Sequence, residues 1–224
     1  MINSLAFSSR SEQIVRTRIK ICGLKTKAEA MAAAEAGADA VGFVFYSNSP
    51  RAMTPEAVRP IAEALPPFVQ RVALFVNEHP SVIEATLKAC PIDLIQFHGT
   101  EDRAFCESFG VPYIKAFGFE SRTSLQAVSD AHPNAVALLL DAVVTGQHGG
   151  TGRTLHWSGI GDVGRPWLLA GGLTAQNVRE AIEVTAPFAV DVSSGVETSR
   201  GVKDVGMIRT FIETVNQVDE ARSS

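Results

Sequence analysis

Cysteine is scarce in this 224-residue chain: only Cys22, Cys90 and Cys106 are present. Three is an odd number with no metal-ligand spacing, which excludes a disulfide scaffold and points to a reducing compartment. No apolar run is long enough to span a membrane. Residues 1–17 lack the apolar core of a signal peptide. Their Ser and Arg content has a faint transit-peptide character, but Glu12 and the direct run into the first strand oppose it. A cytoplasmic location is expected. The formal net charge of −4 excludes the basic footprint of a nucleic-acid binder. No histidine has convincing ligand spacing, so no metal site is expected. Linker-like stretches rich in Pro, Gly or Ser are missing too, and the chain reads as one domain over 18–218, with an N-terminal extension 1–17 and a tail 219–224.

What is present is an ordinary globular balance, 46% hydrophobic and 20% charged. A mildly acidic protein takes an anionic substrate only through a local cluster of Arg, Lys and backbone N–H groups. The chain is organised around Arg18-Ile19-Lys20-Ile21-Cys22-Gly23-Leu24, where Ile19 and Ile21 suit a strand and Gly23 ends it. Alternation puts Lys20 and Cys22 on one face, with Cys22 at the C-terminal lip.

Strand and helix signals then alternate. Helices are expected at 26–37, from Thr54 with Pro55 at its first position, and at 81–90, 100–109, 121–131 and 174–185. Val82, Ile83 and Leu87 supply the apolar face of the third helix, and Val205, Ile208, Phe211, Ile212 and Val215 the core stripe of the last. Strands are expected at 40–45, 71–76, 94–97, 113–119, 136–140, 167–170 and 188–192, most of them apolar throughout as buried parallel strands are. About eight strand–helix pairs repeat at roughly two dozen residues, the size of a βα unit, which predicts an α/β fold, a single-domain (β/α)8 TIM barrel.

Barrel enzymes place their chemistry at the C-terminal strand ends and following loops, and here those positions are polar and glycine-rich. Gly149-Gly150-Thr151-Gly152, Ala170-Gly171-Gly172 and Ser193-Ser194-Gly195 let backbone N–H groups approach an anion. Any one glycine pair can be just a tight turn; three on one rim favour a phosphate. Candidate phosphate contacts are therefore Gly150, Gly152, Gly171, Gly172, Ser193, Ser194 and Gly195. Cys90 and Cys106 read as inert core residues. Cys22 sits on the functional lip, where Lys20 either lowers its pKa or pairs with a buried carboxylate and does so less. Asp141, ending the run Ala137-Leu138-Leu139-Leu140, is either a loop cap or a positioned general acid. Arg51 is either a clamp for a substrate carboxylate or a solvated arginine. His98 either orients substrate or satisfies a turn.

Taken in order, Lys20-Ile21-Cys22-Gly23, Val41-Gly42-Phe43-Val44-Phe45 leading to Ser49-Pro50-Arg51, Ala73-Leu74-Phe75-Val76-Asn77 and Gln96-Phe97-His98-Gly99 resemble the phosphoribosylanthranilate isomerase family. So do Leu140-Asp141, Gly149-Gly150-Thr151-Gly152, Leu169-Ala170-Gly171-Gly172-Leu173 and Asp191-Val192-Ser193-Ser194-Gly195-Val196-Glu197. The resemblance implies the Amadori rearrangement of N-(5′-phosphoribosyl)anthranilate in tryptophan biosynthesis, without metal or organic cofactor. It further implies Asp141 as acid, Cys22 as base, Arg51 on the anthranilate carboxylate and the glycine loops on the phosphate, with Lys20 and His98 in the same pocket. The partner is then a small molecule carrying phosphate and carboxylate, with no nucleic acid and no membrane; the protein is a monomer or a homodimer. Two departures stand out. Ser47-Asn48 replaces the Pro-Lys of many relatives, so carboxylate binding depends more on Arg51, and 1–17 is longer than usual. Another sugar-phosphate isomerase, or a phosphometabolite-binding barrel without turnover, is the competing reading.

Overall fold

The computed structural model describes residues 16–118, 122–141 and 164–223. Eight parallel strands close into a barrel in chain order: β1 (Arg18–Cys22), β2 (Ala40–Val44), β3 (Gln70–Phe75), β4 (Leu94–Phe97), β5 (Tyr113–Gly118), β6 (Ala137–Asp141), β7 (Trp167–Ala170) and β8 (Ala189–Val192). β1 closes the barrel by pairing with both β2 and β8. The helices between them are α1 (Lys27–Ala36), α2 (Pro55–Ala62), α3 (Pro80–Ala89), α4 (Arg103–Glu107), α5 (Arg122–Ala131) and α6 (Val178–Thr185), and α7 (Val205–Arg222) follows β8.

Alternation along each strand builds two cores. Outward residues such as Ile19, Ile21, Phe43, Phe75 and Phe97 join the helices in one large apolar layer. Inward residues Ala40, Val72, Leu94, Ala116, Leu139 and Leu168 fill the lower barrel, so it is a plugged core with its open end above. Cys22, Val44 and Leu74 pack over that plug.

Local chemistry sets the element ends. Thr26 accepts from the Glu29 amide while the Glu29 carboxylate reaches back to the Thr26 amide, and Thr54 caps α2 with Pro55 in its first turn. Four expectations need correction. The helix expected at 100–109 shrinks to α4, because the Glu101 carboxylate accepts instead from the Asn77 and Gly99 amides and from Lys115. The helix expected from 174 starts at Val178: Asn177 accepts from the Thr174 amide and donates to Gly172 O, making a turn there. Val82 is exposed rather than core, and α3 buries Ile83 and Thr86. Finally, α7 runs to Arg222, so 219–222 continue the helix, and Asp219 accepts from the Thr17 amide and hydroxyl. A hydrogen-bonded latch therefore joins the last helix to the residue preceding β1.

Candidate active site

One cavity of about 310 Å³ opens at the C-terminal ends of the strands. Cys22 enters it from β1, Arg51 from the loop after β2, Gln96 and His98 from β4 and its end, and Asp141 from β6. Gly171 and Gly172 follow β7, and Asp191, Ser193 and Ser194 belong to β8 and its loop. Val44, Leu74, Val76 and Tyr46 give the cavity an apolar wall beside Arg51. Gly150 and Gly152 lie outside the described residues.

The floor is charged. Lys20 Nζ donates to Asp191 Oδ1 at 2.9 Å, and the side chains are 3% and 7% exposed. Strand register explains the meeting, because Lys20 pairs directly with Asp191 across β1 and β8. Of the two alternatives for Lys20, the structure takes the buried pair. Burial pushes the Cys22 thiol up; Lys20 pulls it down and Asp191 pushes it up again, so the net direction is upward. Lys20 thus lowers this pKa in the weaker of the two expected ways, and the net shift is upward because desolvation of a thiolate outweighs an ammonium already shared with a carboxylate. Burial likewise raises Asp191; it opposes the charge on Lys20 too, but Asp191 and Cys22 together outweigh it and raise Lys20. Gly42 on β2 leaves room for this floor: a Cβ there would stand 2.8 Å from Cys22 Sγ and 3.2 Å from Lys20 Nζ. Cys90 and Cys106 are buried in the outer core, away from the cavity.

Arg51 is not solvated. Its Nε and Nη2 donate to Glu197 Oε1 and Oε2 at 2.6 and 2.7 Å. Lys203 Nζ also donates to Glu197 Oε1 at 2.6 Å, and the Gly201 amide to Oε2 at 3.0 Å. Burial opposes ionisation of Glu197, but these donors pull its carboxyl down to about 2. Lys203 continues to Ser193, donating to its carbonyl at 2.9 Å and its hydroxyl at 3.2 Å, and that hydroxyl donates to Cys22 O at 3.1 Å. The extra turn after β8 is a single 3-10 turn, Ser194–Val196, followed by the hairpin β9 (Glu197–Ser199) and β10 (Val202–Lys203). Gly195 is needed there because a Cβ would collide with Leu173 O of the β7 loop. The β7 and β8 loops thereby close on each other. Across the mouth, His98 Nε2 lies 3.4 Å from Asp141 Oδ2, both side chains being 30% exposed.

Sequence reasoning missed Asp191, Glu197 and Lys203 as members of the site. Asp191 had a signal: it is the one acid in the four-residue buried strand Ala189–Val192, and a charge in a buried strand needs a partner. Glu197 and Lys203 had none, because their meeting with Arg51 is decided by the hairpin.

Among the described residues, no group of three or more His, Cys, Asp or Glu is arranged to hold a metal, and no helix is long and apolar enough to cross a membrane. The architecture defines the class: a (β/α)8 barrel enzyme with a thiol, a carboxyl and a guanidinium converging at the C-terminal strand ends. Residues 19–214 match the family model of N-(5′-phosphoribosyl)anthranilate (PRA) isomerase. The isomerase of Acidithiobacillus ferrooxidans is 50% identical over 198 residues, 88% of this chain and 97% of that one. The solved isomerase of Thermotoga maritima is 41% identical over 90% of this chain and 99% of its own, with a TM-score of 0.83, and monomers generated from its dimeric form have also been solved. Another solved phosphoribosyl anthranilate isomerase structure, 37% identical over 90% of this chain and 99% of that one with a TM-score of 0.77, is in complex with reduced 1-(o-carboxyphenylamino)-1-deoxyribulose 5-phosphate. The chain belongs to the N-(5′-phosphoribosyl)anthranilate isomerase family and, as a member, is an isomerase of tryptophan biosynthesis.

Proposed function

We propose that this cavity carries out the Amadori rearrangement of N-(5′-phosphoribosyl)anthranilate to 1-(2-carboxyphenylamino)-1-deoxyribulose 5-phosphate with Asp141 as acid and Cys22 as base. The observation that carries this assignment is that Cys22, on β1, and Asp141, on β6, line one cavity from different strands of the barrel. Protonated Asp141 gives its proton to the furanose ring oxygen as the C1′–O bond breaks and the anilino nitrogen's lone pair forms the Schiff base. Cys22 as thiolate then takes the C2′ proton, and the C2′–H electrons flow back to the nitrogen as an enolamine, which tautomerises to the ketone. Burial makes the thiolate rarer but, once formed, a stronger base.

The two ends of the substrate have separate partners. Arg51, its guanidinium already oriented by Glu197, offers its remaining donors to the anthranilate carboxylate beside the apolar wall of Val44, Tyr46, Leu74 and Val76. The phosphate lies against Gly171, Gly172, Ser193, Ser194 and Gly195, with Gly150 and Gly152 completing the loop set. Support for this is the closure of the β7 and β8 loops around Gly195, in the part of a barrel that commonly holds phosphate. Lys20 acts from beneath, and no metal or organic cofactor enters the reaction. The protein works in the cytoplasm as a monomer or homodimer. Light scattering on the purified protein tests that state.

The test of the reaction generates phosphoribosylanthranilate in situ and follows loss of its fluorescence with the wild type and Cys22→Ser in parallel. Turnover by the first and not the second supports the reaction and the base. A folded wild type without turnover moves the assignment to another sugar-phosphate isomerisation.

A further inference from the structure

Gln96 is wholly buried at the inner face of β4, two residues before His98, and lines the cavity. Its Nε2 lies 3.2 Å from His98 Nδ1. An amide nitrogen donates and does not accept, so in this arrangement Nδ1 is the unprotonated ring nitrogen and a neutral imidazole carries its proton on Nε2. That Nε2 is the atom 3.4 Å from Asp141 Oδ2. The same orientation leaves Gln96 Oε1 as the one buried side-chain polar atom without a partner among the described residues. A buried acceptor left open is costly, and its persistence calls for a function.

We propose that Gln96 is a positioning residue that fixes His98 in its Nε2–H tautomer, so that the ring donates to Asp141 Oδ2 and the acid proton of that carboxyl is carried on Oδ1. The inference rests on Asp141 being the acid of the proposed reaction and deepens that reading. Turning the amide end for end would set Oε1 against Nδ1, move the imidazole proton to Nδ1, and leave Nε2 as an acceptor. A bare Nε2 would then draw the Asp141 proton to itself, away from the sugar ring oxygen. With the amide as it stands, the proton remains available to the substrate. When it leaves, the Nε2–H faces a carboxylate instead of a neutral carboxyl, and a charge-assisted hydrogen bond is the stronger one. The contact therefore strengthens as the reaction proceeds, which accelerates ring opening rather than just holding substrate. His98 works through Asp141, and Gln96 works through His98.

Nitrogen-15 NMR of the histidine rings in the full-length protein tests this directly, with the His98 resonances assigned by their loss in His98→Gln. The wild type is expected to show Nε2 protonated and Nδ1 bare. In Gln96→Leu the proton should distribute over both nitrogens, while kcat falls about tenfold and KM changes less than about twofold. Gln96→Glu, whose carboxylate only accepts, should pull a proton onto Nδ1 and lower kcat further than leucine does. A wild-type His98 protonated on Nδ1 alone overturns the proposal, as does a Gln96→Leu or Gln96→Glu protein with undiminished kcat. If neither variant folds, the wild-type spectrum decides by itself. Full turnover by Asp141→Asn would instead remove the acid while leaving the His98 tautomer standing, so the two failures are distinguishable.

Discussion

Arg51 and Glu197 meet through two parallel hydrogen bonds at 2.6 and 2.7 Å, although 146 positions of sequence separate them. The guanidinium is thereby oriented before any substrate arrives, and less freedom is lost when a carboxylate docks against its other edge.

Arg51→Ala should weaken binding of a carboxylated product analogue by about 1 to 3 kcal/mol, with kcat less affected. Titration calorimetry reads the affinity; an unchanged dissociation constant would count against the clamp.

Glu197 should make the fold acid-sensitive. Its folded pKa of about 2 lies below the ordinary value near 4.3, so its contribution is fully present above that value and fades as pH falls towards 2. Urea melts across this range should show the wild type losing stability faster than Glu197→Gln. Parallel curves would show that these contacts contribute nothing. Because a neutral amide grips Arg51 and Lys203 less firmly than a carboxylate does, Glu197→Gln should also raise KM.

Catalysis should depend on the Cys22 thiolate. Since burial holds the folded thiol above its ordinary value, the thiolate fraction is small at neutral pH and grows as pH rises. In the free enzyme, kcat/KM should therefore climb between about pH 7 and 9. Cys22→Ser should lack this limb and lose at least about a hundredfold in kcat with a modest change in KM. A flat wild-type profile, or a serine variant of near-normal kcat, would reject the thiolate as base.

Replacing Asp141 by Asn removes the transferable proton at almost constant shape. We expect kcat to fall at least about a hundredfold. Stopped-flow fluorescence on purified protein reads this, and unchanged turnover would remove Asp141 from the mechanism.

The Lys20–Asp191 pair should reveal itself through asymmetry. Lys20→Met leaves a carboxylate buried without its partner and should destabilise the fold by about 3 to 5 kcal/mol. The double variant Lys20→Met/Asp191→Leu should recover most of that loss, as no unpaired charge remains. A double variant no more stable than the single one would mean that packing, rather than charge, sets the cost. In Lys20→Met the Cys22 thiol should titrate higher still, because its largest lowering influence is gone.

Much of the barrel is legible one residue at a time. The unbroken apolar run Trp167–Ala170 marks a strand covered on both faces, and the structure places it at those bounds. Thr54 before Pro55 marks a helix start because cap and ring geometry act within one turn. The helix expected at 100–109 is shortened for the opposite reason. Glu101 and the Thr174–Asn177 turn spend their hydrogen bonds on partners outside helical geometry, and in the first case those partners, Asn77 and Lys115, lie in other βα units.

By itself the sequence determined the alternation of strands and helices, the inward face carrying Lys20 and Cys22, and the strand ends where Cys22 and Asp141 stand, because strand period, caps and turn chemistry are local. Only the tertiary structure decided that Lys20 belongs to Asp191, that Arg51 belongs to Glu197, that burial raises the Cys22 thiol, and that Gln96 reaches His98 beside Asp141. Those outcomes depend on register around a closed barrel and on which charges share a dry floor. For Lys20 and Asp191 both are set when β1 pairs with β8, an event no local pattern records.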